Sequence, residues 1–110
     1  MPITLDREGG LAVLSVDGRL DQNETGNMEK TVINLLDEGE KKLLFDFTDL
    51  DYINSSGLRV LVMAFQRLKP AGGILGVCCL KDYIQEVFEI SGYDKLFSLY
   101  PSREMAVAEL

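Results

Sequence analysis

Two short apolar runs joined by an amphipathic segment constrain the fold of this chain more than any other feature. Residues 42–47 have the length and composition of a buried strand. Residues 74–80 are continuously apolar, which is typical of a strand covered on both faces. Between them, in segment 58–69, apolar side chains recur at the spacing of one helix face: Leu58, Leu61, Val62, Phe65 and Leu68. A strand, a helix and a strand in this order predict a right-handed crossover and a parallel sheet.

The same alternation continues on both sides of this unit. Residues 8–10 contain two glycines and predict a turn, so 3–7 and 11–16 are expected to form an antiparallel hairpin. The other predicted elements are a helix at 24–38 ended by Gly39, a helix at 82–91 capped by Asp82 and ended by Gly92, a strand at 96–100, and a short helix from Ser102. Their predicted inner faces carry Met28, Val32, Leu35, Leu36, Ile84, Val87 and Phe88. We therefore expect one α/β domain spanning residues 1–110.

Composition and charge argue against several classes of protein. With 46% hydrophobic residues and a mean hydropathy near zero, the chain has the composition of a soluble globular domain. No apolar run approaches the ~20 residues of a membrane span, and the first residues lack a secretion signal, so we expect a cytoplasmic protein without membrane insertion. A net charge of −7 without basic clusters argues against nucleic acid and favours a protein partner with a basic face.

The chain contains no histidine, which rules out a Ser-His-Asp triad and a histidine-bearing zinc site within it. Cys78 and Cys79 are adjacent rather than spaced as Cys-x-x-Cys, so we interpret them as reduced, small apolar residues on opposite faces of a strand. Asp46, Asp49 and Asp51 could form a magnesium site, but the pattern favours turn-forming and solvated carboxylates. The sequence thus predicts no metal, no cofactor and no enzymatic activity.

The stretch Asn54-Ser55-Ser56-Gly57 lies between a predicted strand and a predicted helix. Asparagine and serine are favoured helix caps, and the free N–H groups and dipole at a helix start favour an anion. The Ser55 hydroxyl is therefore either a capping group or a site for a phosphate. Loop 17–23 is expected at the same edge of the sheet, which makes Asp21 a neighbour of Ser55. Asp21 also fits the cap position of a capping box before the first helix.

Three motifs in this order closely resemble the bacterial anti-sigma factor antagonists of the STAS domain family: Gly18-Arg19-Leu20-Asp21, Asn54-Ser55-Ser56-Gly57-Leu58 and Ile90-Ser91-Gly92. The resemblance covers nearly the whole chain. It implies a single STAS-like domain, a right-handed βα superhelix with a mixed, mostly parallel five-stranded sheet and four helices. It also implies a partner that is both an anti-sigma factor and a serine kinase, and a serine phosphatase that reverses the phosphorylation.

By position, the resemblance implies that Ser55 is the phosphorylated residue, with Ser56 as the second candidate. Asp21, Asn54 and Gly57 are expected to support the switch. The expected partner contacts are Asp21, Asn23, Ser55, Ser56, Leu58 and Arg59. Family members usually carry aspartate where this chain has Asn54. Asparagine keeps the capping oxygen of aspartate but lacks its negative charge. We interpret the aspartate as shaping the loop, so that Asn54 can replace it.

Two alternatives remain open on the sequence. The chain could be a STAS subunit of another assembly, such as a lipid-transport ATPase or a signalling scaffold, without a phosphorylation switch, and Asn54 is the main support for this function. Ser55 and Asp21 could also be plain helix caps. On the far side of the helix after the serines, Val60, Met63 and Ala64 are apolar and are expected to form a partly exposed docking face.

Overall fold

The computed structural model describes residues 3–110, in which strands and helices alternate. The strands are β1 (Ile3–Glu8), β2 (Leu11–Val16), β3 (Gly18–Leu20), β4 (Lys42–Asp46), β5 (Leu50–Ile53), β6 (Ile74–Cys78) and β7 (Ser98–Tyr100). The helices are α1 (Thr25–Asp37), α2 (Ser55–Leu68), α3 (Asp82–Ile90) and α4 (Arg103–Glu109). None of the helices within residues 3–110 has the length and apolar character needed to cross a membrane.

The main sheet contains five strands in the order β1-β2-β4-β6-β7 and is mixed. β1 pairs antiparallel with β2, whereas the pairs β2–β4, β4–β6 and β6–β7 are parallel. Parallel neighbours need crossover connections, which α1, α2 and α3 provide. The predicted α/β class, the five-stranded mixed sheet and the four helices are therefore confirmed.

Alternating side chains of the central strands enter two separate cores. Ala12 and Leu14 of β2 face the larger core, which α1, α2 and α3 cover. Leu11 and Val13 of the same strand face the opposite side, where Ala106 of α4 packs. Because apolar side chains cover both faces, β2 is almost entirely buried, as its apolar sequence predicts.

A second sheet, formed by the parallel pair β3 and β5, was not predicted. The two strands have three and four residues, which is too short for an alternating pattern to be recognised. The N–H of Gly18 donates to the carbonyl of Asp49 at 2.8 Å at one end of the pair. At the other end, the N–H of Asn54 donates to the carbonyl of Leu20 at 3.3 Å. The small sheet therefore fixes the loop after β2 to the segment that leads into α2.

Two predicted helix faces are wrong in part. Val60 and Ala64 of α2 are buried, because α1 packs against α2, and Met63 is half-buried. The apolar docking face expected from these three residues is therefore not exposed. Val87 of α3 was expected to face inward but is 36% exposed, because Phe88 takes the buried position beside it.

Local features of three elements also differ from the prediction. α2 begins at Ser55, ahead of the apolar pattern that predicted the helix. The N-cap of α3 is Lys81, without a side-chain cap hydrogen bond, so Asp82 is the first helical residue and not the cap. Cys79 has a positive φ of 65° and follows the last residue of β6, Cys78. Its side chain therefore joins the same core as Cys78 and not the opposite face.

Candidate functional site

Asn54 caps the start of α2 and fixes the position of the two serines. Its backbone is extended, and its side-chain Oδ1 accepts hydrogen bonds from the N–H of Ser56 at 3.1 Å and of Gly57 at 3.2 Å. Ser55 and Ser56 are therefore the first two helical residues rather than caps. The Nδ2 of Asn54 donates to Oε1 of Gln22 at 3.1 Å, which ties the cap to the loop after β3.

The two serines of this elbow (residues 54–57) differ in their access to solvent. Ser55 is exposed, whereas Ser56 is half-buried and lines a groove of about 270 Å³ between α1 and α2. Ser55 is therefore the more accessible hydroxyl. It lies where the N-terminal N–H groups and the dipole of a 14-residue helix favour a negative charge.

Gly57 permits the close approach of β3 to the start of α2. A Cβ atom at this position would lie 2.8 Å from Cγ1 of Ile53 and 3.0 Å from both Cγ and the carbonyl oxygen of Leu20. The same carbonyl accepts the hydrogen bond from the Asn54 N–H. A side chain on residue 57 would therefore separate the elbow from β3.

Asp21 organises the loop between β3 and α1. Its Oδ1 accepts a hydrogen bond from the N–H of Asn23 at 3.0 Å, and its carbonyl oxygen accepts from the N–H groups of Glu24 and Thr25, both at 3.0 Å. Its Oδ2 lies 3.5 Å from Nε of Arg19. The expected capping box does not form, because Glu24 is the N-cap of α1 and makes no side-chain cap hydrogen bond. Asp21 caps the turn that precedes the helix.

The structure brings the loop of Asp21 next to the serine pair. Asn54 contacts the end of β3 through its N–H to the carbonyl of Leu20, and the loop itself through its side chain to Gln22. Sequence reasoning missed Gln22, because its contact with Asn54 spans 32 residues and leaves no local pattern. The elbow and the loop therefore form one continuous candidate surface.

The remaining predicted contact residues are not equally accessible. Asn23 and Arg59 are exposed, and Arg59 shares the groove between α1 and α2 with Thr25 and Glu29. Leu58 is only 8% exposed and packs in the larger core, so it supports the elbow from within and offers little surface to a partner. The accessible part of the candidate site is therefore polar and charged.

The grouping of Asp46, Asp49 and Asp51 does not assemble into a metal site. Asp46 is nearly buried, whereas Asp49 and Asp51 are exposed, and Asp51 forms an ion pair with Lys81. Within residues 3–110, the one group of side chains with metal-binding spacing contains only Asp46 of the three.

The serines of the elbow have no histidine to activate them as nucleophiles, and the buried cysteine elsewhere in the chain is not activated either. No histidine is available to deprotonate Ser55 or Ser56, because the sequence contains none. Away from the elbow, burial raises the pKa of the Cys78 thiol far above its ordinary value, and the nearby Asp46 carboxylate raises it further. That thiol is therefore protonated at neutral pH and is a poor nucleophile. The elbow offers hydroxyl, amide and charged groups suited to recognition by a partner.

Comparison with known proteins identifies the family. Residues 2–106 match the sequence profile of the STAS domain. BtrV of Bordetella bronchiseptica, provisionally named an anti-sigma factor antagonist, is 35% identical over 108 residues, which cover 98% of this chain and 93% of BtrV. The chain belongs to the STAS domain family, as the three sequence motifs implied.

Solved structures of anti-sigma factor antagonists share this fold. One from Mycobacterium paratuberculosis superposes with a TM-score of 0.87 at 24% identity, and the match covers 96% of this chain and 90% of that one. The Bacillus cell fate determinant SpoIIAA in its phosphorylated form superposes with a TM-score of 0.78 at 18% identity, covering 96% of both chains. At these identities the similarity demonstrates a common fold.

Gly57→Ala is expected to destabilise the protein, because the added methyl group would meet Leu20 and Ile53 at 2.8 to 3.0 Å. We expect the free energy of unfolding to fall by roughly 1–3 kcal/mol, as at other overpacked positions. Gly26→Ala is the matched control, since its added methyl group would meet no atom within 4 Å outside its own part of α1, and we expect the stability to be unchanged or higher by up to about 1 kcal/mol. Urea unfolding measures both, and an unchanged stability of Gly57→Ala would contradict the close contact.

Proposed function

We propose that this protein is an anti-sigma factor antagonist whose binding is controlled by phosphorylation of Ser55. In its unphosphorylated form it binds an anti-sigma factor that is also a serine kinase, and a serine phosphatase restores this form. The protein acts as a single domain in the cytoplasm and is not itself an enzyme. Membership of the STAS family and the names of relatives support the antagonist function. The exposed position of Ser55 at the start of α2 is the observation that carries the switch.

The start of α2 can accept a phosphate without refolding. The kinase would transfer the γ-phosphoryl group of ATP to Oγ of Ser55, with loss of the hydroxyl proton and release of ADP, and hydrolysis by the phosphatase would release inorganic phosphate. The phosphate adds about −1.5 to −2 charges at the positive end of the helix dipole. The buried Leu58 and Leu61 anchor α2 in the core, so the fold is expected to be retained.

The same charge is unfavourable where a partner covers the elbow. Asp21 lies in the adjoining loop, and Glu29 lines the groove next to Ser56, so the phosphate would add to carboxylates already present. An unpaired charge in a contact from which water is excluded costs binding energy. Phosphorylation would therefore prevent binding by repulsion and steric misfit, while the domain stays folded.

The proposed contact surface surrounds Ser55 and includes Asp21, Asn23, Ser56 and Arg59. The net charge of −7 supports a partner with a basic face, because complementary charge accelerates encounter and helps to fix the orientation of a complex. Ser56 is the second candidate acceptor, but its half-buried position in the groove makes it less accessible to a kinase than Ser55.

Asn54 is the observation that favours a second function, as a STAS subunit of another assembly without phosphorylation. A kinase that requires a carboxylate on the residue before the serine would not recognise this chain. The hydrogen bonds of Asn54 nevertheless favour a structural role for this position. Its Oδ1 makes the cap, which a carboxylate can also make, and Gln22 can turn its own amide to donate to a carboxylate.

Asn54→Asp is therefore expected to leave the free energy of unfolding within about 1 kcal/mol of the wild type, since both residues cap helices well. The rate of Ser55 phosphorylation by a cognate kinase is expected to stay unchanged, because the cap geometry is retained. Denaturation and a kinase assay with a radioactive or mass-spectrometric readout measure the two quantities. A many-fold change in the phosphorylation rate at constant stability would show that the kinase recognises the charge of residue 54. Our interpretation of Asn54 would then be wrong.

Substitutions of Ser55 test the switch directly. Ser55→Ala should abolish phosphorylation and leave binding to the anti-sigma partner unchanged, and its stability should change little because Asn54, not Ser55, makes the cap. Ser55→Asp should bind more weakly than the wild type, and enzymatically phosphorylated protein should bind most weakly, because phosphate carries more charge and reaches further. Calorimetric titration of the four forms against the same partner measures this order.

Ser102→Asp is a suitable control, because Ser102 caps α4 and aspartate also caps helices. It adds the same charge at another helix start, so its binding should match the wild type if the effect is local to the elbow. Equal affinity of all Ser55 forms would refute the switch and favour the assembly-subunit function.

A further inference from the structure

Three metal-ligating side chains lie together at the carboxyl ends of two central strands, β4 and β6: those of Asp46, Cys78 and Cys79. Asp46 ends β4, Cys78 ends β6, and the two residues are direct partners in the parallel pairing of these strands. Cys79 follows in sequence, and the two sulfur atoms and a carboxylate oxygen all lie within 4.8 Å of one another. Ligand atoms on a tetrahedral zinc ion lie roughly 3.5–3.8 Å apart, so these three atoms would have to draw together by up to about 1 Å to share one ion.

The backbone of Cys79 is what places its thiol beside that of Cys78. In a continuing strand, adjacent side chains point to opposite faces. Cys79 instead adopts a φ of 65° and is the one non-glycine residue with positive φ in the described range 3–110. Its N–H donates to the carbonyl of Tyr100 at 3.0 Å, and the carbonyl of Cys78 accepts from the N–H of Phe47 at 3.1 Å, so neighbouring segments hold this conformation. Strained residues of this kind concentrate at functional sites.

We propose that Cys78, Cys79 and Asp46 form a binding site for a thiophilic divalent cation of the zinc class. Two thiolates and one carboxylate are ligands that zinc accepts, and three protein ligands leave a fourth position for water or a further donor. The Cys78 thiol is protonated in the metal-free protein, so the metal would have to displace its proton, as well as that of Cys79, into solvent. The site is separate from the Ser55 elbow and does not depend on the proposed switch.

The residues around Asp46, one polar and one charged, orient its carboxylate and balance charge at the proposed site. Its Oδ1 accepts hydrogen bonds from the N–H of Thr48 at 3.0 Å and from the Thr48 hydroxyl at 2.6 Å, which orient the carboxylate. Its Oδ2 lies 3.5 Å from Nη1 of Arg103, a longer contact that a metal ion could replace. Two thiolates and a carboxylate carry one negative charge more than a divalent cation neutralises, and the adjacent guanidinium offsets it. Glu8 and Asp6 hold Arg103 in place, at 2.9 and 3.0 Å.

The three ligands differ in burial. Cys78 is buried and Asp46 is nearly so, whereas Cys79 is half-buried and is the most accessible of the three. Sequence spacing gave no sign of this site, because two adjacent cysteines match no common zinc motif and the third ligand is distant in sequence.

Cadmium titration of the reduced full chain tests the site, because thiolate-to-cadmium charge transfer absorbs in the ultraviolet. A thiol assay run beforehand confirms that both cysteines are reduced, so that a missing signal counts against the site and not against the sample. The wild type should bind one Cd²⁺ per chain, and added Zn²⁺ should displace it. At saturating Cd²⁺, Cys79→Ser should lose about half of the absorption, because one of the two thiolates remains, and it should bind at least about tenfold more weakly. Asp46→Asn should retain the absorption but also bind at least about tenfold more weakly.

Asp49→Asn is the matched control, since Asp49 is an exposed carboxylate near Asp46 in sequence and outside the cluster. It should bind Cd²⁺ like the wild type. As a second readout, Zn²⁺ should raise the melting temperature of the wild type and of Asp49→Asn but not of Cys79→Ser, because a ligand stabilises only the state that binds it. Cys79 is half-buried, so this variant is expected to fold even if Cys78→Ser does not. Equal Cd²⁺ affinity in wild type and Cys79→Ser, or no charge-transfer band in the reduced wild type, would overturn the proposal.

Discussion

The contact between β3 and the start of α2 is the constraint on which the candidate switch surface depends. Gly57 has no side chain, so the carbonyl of Leu20 can approach α2 and accept the hydrogen bond from the Asn54 N–H. The short pairing of β3 with β5 aligns the two segments for this contact. Without it, the hydrogen bond between Asn54 and Gln22 would have to hold the loop of Asp21 beside the helix start of Ser55. A sheet of seven residues in total, outside the main sheet, thus determines which polar groups a partner can meet.

Asn54 separates two properties that an aspartate at this position would combine. The capping oxygen fixes the helix start and therefore the exposure of Ser55. The negative charge, which Asn54 lacks, would add to that of Asp21 and of any phosphate on Ser55. With a neutral cap, a phosphate on Ser55 would meet the positive end of the helix dipole without a carboxylate at residue 54 to repel it. The substitution is therefore compatible with a switch that acts through electrostatics at a fixed geometry.

The sequence predicted the elements that are long or strongly patterned and failed where tertiary contacts decide. The buried strands and the helix after the elbow follow from apolar periodicity, and the serine pair was placed correctly at a helix start. Periodicity could not reveal that α1 covers Val60 and Ala64, since both faces of α2 are apolar. Likewise, the contact of Gln22 with Asn54 and the positive φ of Cys79 depend on segments far away in sequence.

Both candidate sites lie where strands of parallel pairs end, and the difference in their burial explains why their chemistry differs. At a strand end the backbone leaves the sheet, so side chains from neighbouring strands can converge on one point. Asp46 and Cys78 end central strands and converge in an interior that α4 packs against, where a charge needs a fixed partner such as Arg103 or a cation. Ser55 follows β5 and faces solvent, where a charge can be added and removed at little cost to folding. The carboxyl ends of parallel strands, in the main sheet and in the small β3–β5 sheet, thus bring side chains together in both settings, and burial decides whether they suit a buried ligand or an exposed modification.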